Sequence, residues 1–316
     1  MGLTLLQSAT GYHYEESSMA AEGIPLESAK WNALSKENVS LLDEWNSGLI
    51  EKQLLSYMFR VNYDYNNKYL LTVSGRWDGA SQLAEGNKWA FFPSAALGWR
   101  LDQEEFLKDV TWLNQLKFRL GVGVTGNSAI DPYQTKGAIV SLYYPFGSAL
   151  APGYAASEPL IKDGAVAMAN KNLSWEKTTQ YNIGLDYSVL NGRISGVLDF
   201  YTSRTTDLLM AMTIPSLNGY TNTYANVGKT SNIGVDITLN TVNVKTRDFE
   251  WSTSINAAWQ KDKIDELANG KEDDINNNWF IGQALGVIYG YECGGLWKEE
   301  DAAEMAKFNA CLLYTS

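Results

Sequence analysis

The stretch YMFRVNYDYNNKYLLTVSGRWDGAS, residues 57 to 81, constrains the fold more than any other part of the chain. Successive side chains of a β-strand point to opposite faces. The stretch therefore sends Tyr57, Phe59, Val61 and Tyr63 one way and Met58, Arg60, Asn62 and Asp64 the other. After Asn66-Asn67, a pair suited to a tight turn, Tyr69, Leu71, Val73 and Trp77 share one face against Leu70, Thr72, Ser74, Arg76 and Asp78. The result is an antiparallel hairpin with one aromatic and one charged face. A half-buried sheet in a soluble sandwich has the same local pattern, so the choice between environments rests on the remaining chain.

The pattern recurs. LNQLKFRLGVGVT, residues 113 to 125, sets Leu116, Phe118, Leu120, Val122 and Val124 against Lys117, Arg119, Gly121 and Gly123. TTQYNIGLDYSVLNGRISGVLDFY, residues 178 to 201, sets Tyr181, Ile183, Leu185 and Tyr187 against Gln180, Asn182, Gly184 and Asp186, then turns at Asn191-Gly192. Ile233, Val235, Ile237 and Leu239 oppose Asp236, Thr238 and Asn240, and beyond KTRD the run from Phe249 to Trp259 alternates again. The expected strand cores are 3–14, 51–64, 68–79, 91–101, 115–126, 177–189, 193–206, 229–242 and 249–261. These are about nine strands of about ten residues or more, the length a tilted transmembrane strand needs.

The connections alternate in length. Segments 15–50, 80–90, 127–176, 207–228 and 262 onward are long, whereas 65–67, 190–192 and 243–248 are short. The intermediate segment 102–114 reads as a short helix capped by Asp102, with Glu105 reaching back. Every long connection then falls at one end of the sheet, as in outer-membrane barrels with short periplasmic turns and long extracellular loops. Aromatics gather toward both ends of the apolar face: Tyr63, Tyr65, Tyr69, Trp99 and Tyr187 near the short turns, Trp77, Phe200 and Trp259 near the long loops. Such girdles mark the two membrane surfaces. The reading is an all-β chain forming part of an antiparallel transmembrane β-barrel wall, with lipid against the aromatic face. Arg60, Arg76, Asp78, Arg119, Asp186, Asp199 and Asp236 face a wet lumen, because each would be costly in a dry core without a partner. Aromatic pairs on a water-soluble sheet stay open as the alternative.

Composition narrows the functional classes. With 45% hydrophobic and 12% aromatic residues the 316-residue chain is rich enough in apolar surface to fold. Its net charge of -11, without any run of Lys or Arg, repels a phosphate backbone, so no nucleic-acid partner is expected. No apolar run approaches the roughly 18 residues of a spanning helix, which does not exclude membrane-spanning strands. The N-terminus lacks a charged leader region and a cleavage site, and MGLTLL has Leu where myristoylation expects Ser or Thr. Cys293, Cys311 and the single His13 supply neither a disulfide framework nor a zinc set, and no cofactor is expected. The final CLLYTS, 311–316, is encoded by TGTCTCTTATACACATCT, which resembles the transposase end sequence used to tag sequencing libraries. The expectation is that these residues are not native, that 1–310 is the receptor-derived part, and that the natural polypeptide continues.

Enzymatic signatures fail their context tests. GVGVTG at 121–126 matches G-x-G-x-x-G, but the turn-forming NSAIDPYQ follows it instead of a helix. KEDDINNNW at 271–279 offers Asp273, Asp274 and Asn276 for calcium, yet lacks the spacing of a calcium loop and reads as a solvated segment. Without a usable His or Cys a nucleophilic triad has no base, so an enzyme is not expected. Binding residues are expected at the long-loop end. The candidates are the inward Arg76 and Asp78 with Tyr143, Tyr144 and Tyr154 of SLYYPFGSALAPGYAASEPL, whose rings can stack on sugars or peptide side chains or pack the loop on itself.

LLSYMFRVNYDYNNKYLLTVSGRWDGASQLAEGNKWAFFPSAALGWRLDQEEFLK, followed by WLNQLKFRLGVGVTGN, resembles the barrel of SusC/RagA-type TonB-linked outer-membrane proteins. NKNLSWEKTTQYNIGLDY and YANVGKTSNIGVDI are similar to the same family, so the resemblance runs from about residue 48 to 297. At GRWDGAS the family more often has Arg or Tyr in place of Trp77 and Ser in place of Ala80. The resemblance implies a plugged barrel of roughly 22 strands. It also implies import of oligosaccharides or peptides with a SusD-like surface lipoprotein, driven by TonB. The plug, TonB box, signal peptide and remaining strands are not recognisable, and the expected wall is incomplete. A TonB-dependent siderophore or cobalamin receptor, or a cell-surface β-sandwich adhesin, stays open beside this reading.

Overall fold

The computed structural model describes residues 1–22, 41–136, 140–147, 149–155, 167–215 and 222–290, with the backbone alone at 21–22, 41–46, 140–146, 149–155, 167, 213, 222 and 276. Its hairpins begin from local turn chemistry. Asn66 and Asn67 have φ of 53° and 54°, and the Lys68 N–H donates to the Tyr65 carbonyl at 3.0 Å. Asn191 and Gly192 repeat the geometry at 58° and 79°, the Arg193 N–H donating to the Leu190 carbonyl. Turns of this hand match the twist of the strands they join, and Asn and Gly tolerate the positive φ.

Between such turns run β1 (Gly2–Glu22), β2 (Leu41–Tyr65), β3 (Tyr69–Ala80), β4 (Trp89–Arg100) and β5 (Leu113–Asn127). After the hairpin β6 (Val140–Phe146) and β7 (Ala149–Ala155) and the short β8 (Ala167–Met168) come β9 (Glu176–Val189) and β10 (Ile194–Thr206). The chain continues through β11 (Leu209–Thr213) and β12 (Asn222–Asn226) to β13 (Lys229–Lys245) and β14 (Glu250–Glu266). Nine of these form one antiparallel sheet in the order β1-β2-β3-β4-β5-β9-β10-β13-β14, open at both edges. They are the nine expected strands, joined as an up-and-down meander, so successive connections lie at opposite ends. The small strands belong to the long connections: β6 pairs with β7, and β11-β12-β8 make a separate three-stranded sheet.

Beyond these small strands, pairing also goes further than the alternation indicates at the β1–β2 hairpin. The β1–β2 ladder runs from Gly2 opposite Asn62 to Glu22 opposite Leu41, so residues 15–22 and 41–50 of the expected loop 15–50 belong to strands. Its 21 and 25 residues exceed the roughly 9–11 of a membrane-spanning strand, so the hairpin projects past the sheet on the long-connection side. The expected helix at 102–114 is replaced by two 3-10 turns, Leu101–Gln103 and Glu105–Leu107. Asp102 does not cap them. Its carboxylate instead accepts from Arg100 at 2.7 Å, from Gln103 at 2.7 Å and from the Leu116 N–H at 3.2 Å, tying the turn to β5. Burial pushes that carboxyl up, but these hydrogen bonds outweigh it and hold it below the usual aspartate range.

One face of the sheet has no covering layer among the described residues. Trp77, Phe91, Leu97, Ile183, Ile255 and Trp259 lie on it, each between 45% and 58% exposed. On the opposite face, at the long-connection end, Ala80 and Phe92 of the sheet meet Leu83 and Ala84 of the 80–90 connection and Ile130, Leu173 and Trp175 from the two ends of the 127–176 connection, all buried. The Phe92 and Trp175 rings meet edge to face at 5.3 Å, and the Trp175 indole N–H donates to the Lys88 carbonyl at 2.8 Å. Asn226 clamps the same region by exchanging two 2.8 Å hydrogen bonds with the Ser174 backbone. This dry plug of loop residues was not anticipated from the alternation, which assigned the whole face to water. The segment 311–316 and Cys293 lie outside the described residues, as does Cys311.

Two outcomes follow from this packing. Leu173, with no exposed surface, leaves a cavity when truncated, so Leu173→Ala is expected to lower the unfolding free energy in detergent by about 2–5 kcal/mol. At the opposite end Glu104 accepts from Trp99 Nε1 at 3.1 Å, Tyr69 Oη at 2.9 Å and Lys68 Nζ at 3.2 Å. The Trp99 hydrogen bond first, with those from Tyr69 and Lys68, holds its carboxyl below the usual glutamate range. A depressed carboxyl contributes stability that is complete above its unfolded-state value and is lost as pH falls through the folded one. Unfolding measured against pH should show wild type more stable than Glu104→Gln at neutral pH, the gap closing in acid.

Candidate functional site

The polar face is built by register. Arg76 stands opposite Met58 and Phe92, and Asp78 opposite Ser56 and Ala90, so β3 delivers both charges to the inner wall near the long connections. Arg76 Nε donates to Asp78 Oδ1 and Oδ2 at 2.7 and 2.8 Å, and its Nη2 donates to Ser56 Oγ at 3.0 Å. The two expected binding residues therefore form one unit, in which Asp78 is the inner member at 11% side-chain exposure and Arg76 the outer at 42%. A second unit lies in the middle of the wall. Arg119 of β5 donates to Asp186 Oδ1 at 2.9 Å and to Asp199 Oδ2 at 3.1 Å, reaching across β9 to β10. Gly184 stands between Arg119 and Asp199 in the register. A Cβ built there would lie 2.5 Å from Asp199 Oδ1 and 2.6 Å from Arg119 Cζ, so only glycine lets the pair meet over it. Thr72 with Asn62, Ser74 with Ser94, and Thr238 with Asn256 continue the hydrogen-bonded wall.

Above this wall a cleft of about 920 Å³ opens at the long-connection end. It is bounded by the 51–53 part of β2, by residues 81–88 between β3 and β4, by 132–136, and by Lys171. Leu83 and Ala84 belong both to its lining and to the buried plug, so the dry packing fixes the shape of the cleft. Lys52, Lys88, Lys136 and Lys171 line it with Glu51 and Glu85. Glu51 already accepts from His13 Nδ1 at 3.0 Å. Neither Arg76 nor Asp78 lines the cleft. The four lysines are spread over 120 residue positions, which is why no basic run is visible along the chain; the apolar Leu83, Leu173 and Trp175 inside polar connections were the available signal that these loops fold inward.

Tyr143 and Tyr144 lie on β6 and Tyr154 on β7, paired opposite Pro152, Ala151 and Ser141 respectively. Their side chains lie outside the described residues. The remaining sequence motifs resolve as structure. GVGVTG is wholly inside β5. Asp274 accepts from the Asn277 N–H and side chain, and Asp273 from the Ile281 N–H at 2.7 Å, so these carboxylates shape their own loop. Among the described residues no set of His, Cys, Asp and Glu is gathered to hold a metal ion.

Comparison with known proteins agrees with this geometry. The family described as TonB dependent receptor-like, beta-barrel matches residues 8–297. The TonB-dependent receptor SusC of Bacteroides thetaiotaomicron is 38% identical over 255 residues, 77% of this chain and 24% of that protein. A TonB-dependent receptor of Formosa agariphila is 32% identical over 302 residues, 91% of this chain and 29% of its own length. The RagAB peptide transporter structure superposes with a TM-score of 0.73 at 27% identity, over 89% of this chain and 30% of that chain. In its open-open state the RagAB peptide importer reaches 0.75 at 26% identity. The chain thus spans less than a third of the length of these relatives. With an apolar face uncovered among the described residues, a polar face opposite it and the matches above, the chain belongs to the TonB-dependent receptor β-barrel family of the outer membrane, in its SusC/RagA-type branch.

Proposed function

We propose that residues 1–310 form part of the wall of an outer-membrane TonB-dependent transporter that imports oligosaccharides or peptides together with a SusD-like surface lipoprotein. The observation that carries the reading is the open nine-stranded meander with one apolar face left bare and a polar face bearing ion pairs and a cleft at the long-loop end. The likeness to SusC and to the RagAB peptide transporter supports the same role. On this reading further strands pair with the free edges of β1 and β14, and the TonB complex acts through a region outside this chain. The work is binding and passage, not turnover. Arg76, exposed and aimed by Asp78, contacts cargo, with Tyr143, Tyr144 and Tyr154 contributing rings from the β6–β7 hairpin.

Two experiments test this. In the receptor folded into liposomes, arginine at Val73, Ile183, Val235 or Ile255 is expected to cost about 2–4 kcal/mol near the midplane, while arginine at Thr72, Asn182 or Thr238 is tolerated far better. Equal sensitivity of the two sets would contradict the membrane facing. For the site, Arg76→Gln combined with Tyr143→Ala, Tyr144→Ala and Tyr154→Ala should slow growth on the cognate nutrient while insertion stays normal, each ring contributing about 1 kcal/mol. Unchanged growth would remove these residues from the cargo path.

A further inference from the structure

The cleft at the long-loop end carries a charge imbalance that runs against the whole molecule. The chain has a net charge of -11, yet four ammonium groups and two carboxylates line this one concavity. One of the carboxylates, Glu51, is engaged by His13. The lysine ion pairs of the described residues use Lys68, Lys108, Lys117, Lys229, Lys245 and Lys263, none of which lines the cleft. Lys52 has its ammonium 4.8 Å from the Tyr12 ring centroid, a contact that holds the side chain without neutralising it. Like charges drawn together in a concave site raise the local potential and concentrate anions there.

The rest of the lining says which anion fits. Gln53 and Thr135 offer an amide and a hydroxyl suited to sugar hydroxyls, Ser81 Oγ accepts from the Gln53 N–H and keeps its own O–H to donate, and Tyr133 is 49% exposed, a ring available for stacking. All four cations are lysines, point charges that neutralise an anion without the planar fork by which arginine selects one carboxylate geometry. A peptide would call for a free strand edge or an apolar side-chain pocket, and Leu83 and Ala84 provide only a shallow floor. We infer that this cleft is a subsite for acidic oligosaccharides, the lysines taking their carboxylate or sulfate groups while Tyr133 stacks on a sugar ring. The inference rests on the import reading and narrows its cargo.

The test uses the full receptor in detergent, with a uronate hexasaccharide, its carboxyl-reduced neutral counterpart, a sulfated neutral hexasaccharide and a hexaglutamate peptide as probes. Wild type should bind at least one acidic saccharide about tenfold or more tighter than the neutral one, with affinity falling as salt is raised. Changing Lys52, Lys88, Lys136 and Lys171 to Gln should abolish that preference, and Tyr133→Ala should weaken the saccharide alone. The uronate and sulfated arms separate the two sources of charge. Neutral saccharide bound as tightly as the acidic ones, tightest binding of hexaglutamate, or a four-glutamine variant indistinguishable from wild type would each overturn the inference. Uptake of any saccharide or peptide by cells carrying the four-glutamine variant would still uphold the import reading, so the two can fail separately.

Discussion

Everything in this molecule depends on one constraint: a sheet whose backbone groups are paired along nine strands still has two faces, and here they meet different surroundings. Inside a bilayer every backbone N–H and C=O must be satisfied within the protein, which the long antiparallel ladders do except at the outer edges of β1 and β14. The pleat then does the sorting. Val73, Ile183 and Ile255 go to the bare face, and Thr72, Asn182 and Thr238 to the opposite one. The bare face would be an aggregation surface in water; against lipid it needs no covering layer.

The polar face solves its own problem by crossing strands. Arg119 spans from β5 to acceptors on β9 and β10, and Arg76 joins Asp78 on its own strand to Ser56 on the next. Gly184 shows how tightly backbone and charge are coupled there, since the ion pair occupies the space its side chain would take. At the long-connection end water gives way to the plug around Leu83, Leu173 and Trp175, and this small core turns two long connections into a fixed rim. A rigid rim is what allows a cleft made of loop residues to keep a defined shape.

The division of the two ends follows from the same meander. Short turns with positive-φ Asn and Gly leave little room for function: Glu104 ties down the Asn66-Asn67 turn through Lys68 and Tyr69, and Asn114 Oδ1 accepts from the Gly192 N–H at 3.1 Å. Long connections at the other end carry the extra strands β6 to β8, β11 and β12, and with them the cleft. The aromatic pair Tyr69 and Trp99, with ring centroids 6.5 Å apart, both donate to Glu104, so the girdle at the short-turn end is anchored to the turn itself.

The positions and facing of the nine main-sheet strands and the turns at Asn66-Asn67 and Asn191-Gly192 were legible along the chain, because pleat and turn chemistry are local and their period of two survives in any environment; β6, β7, β8, β11 and β12 lie in segments read as loops. The length of the β1–β2 hairpin, the 3-10 turns at 101–107, the loop plug and the gathering of Lys52, Lys88, Lys136 and Lys171 were not legible either. Each of these depends on groups far apart in the chain: a partner strand to pair with, a Leu116 N–H to draw Asp102 away from a cap, a Phe92 ring for Trp175 to meet. Local periodicity carries no information about which loops meet, so that meeting, and the cleft it creates, belongs to the tertiary structure alone.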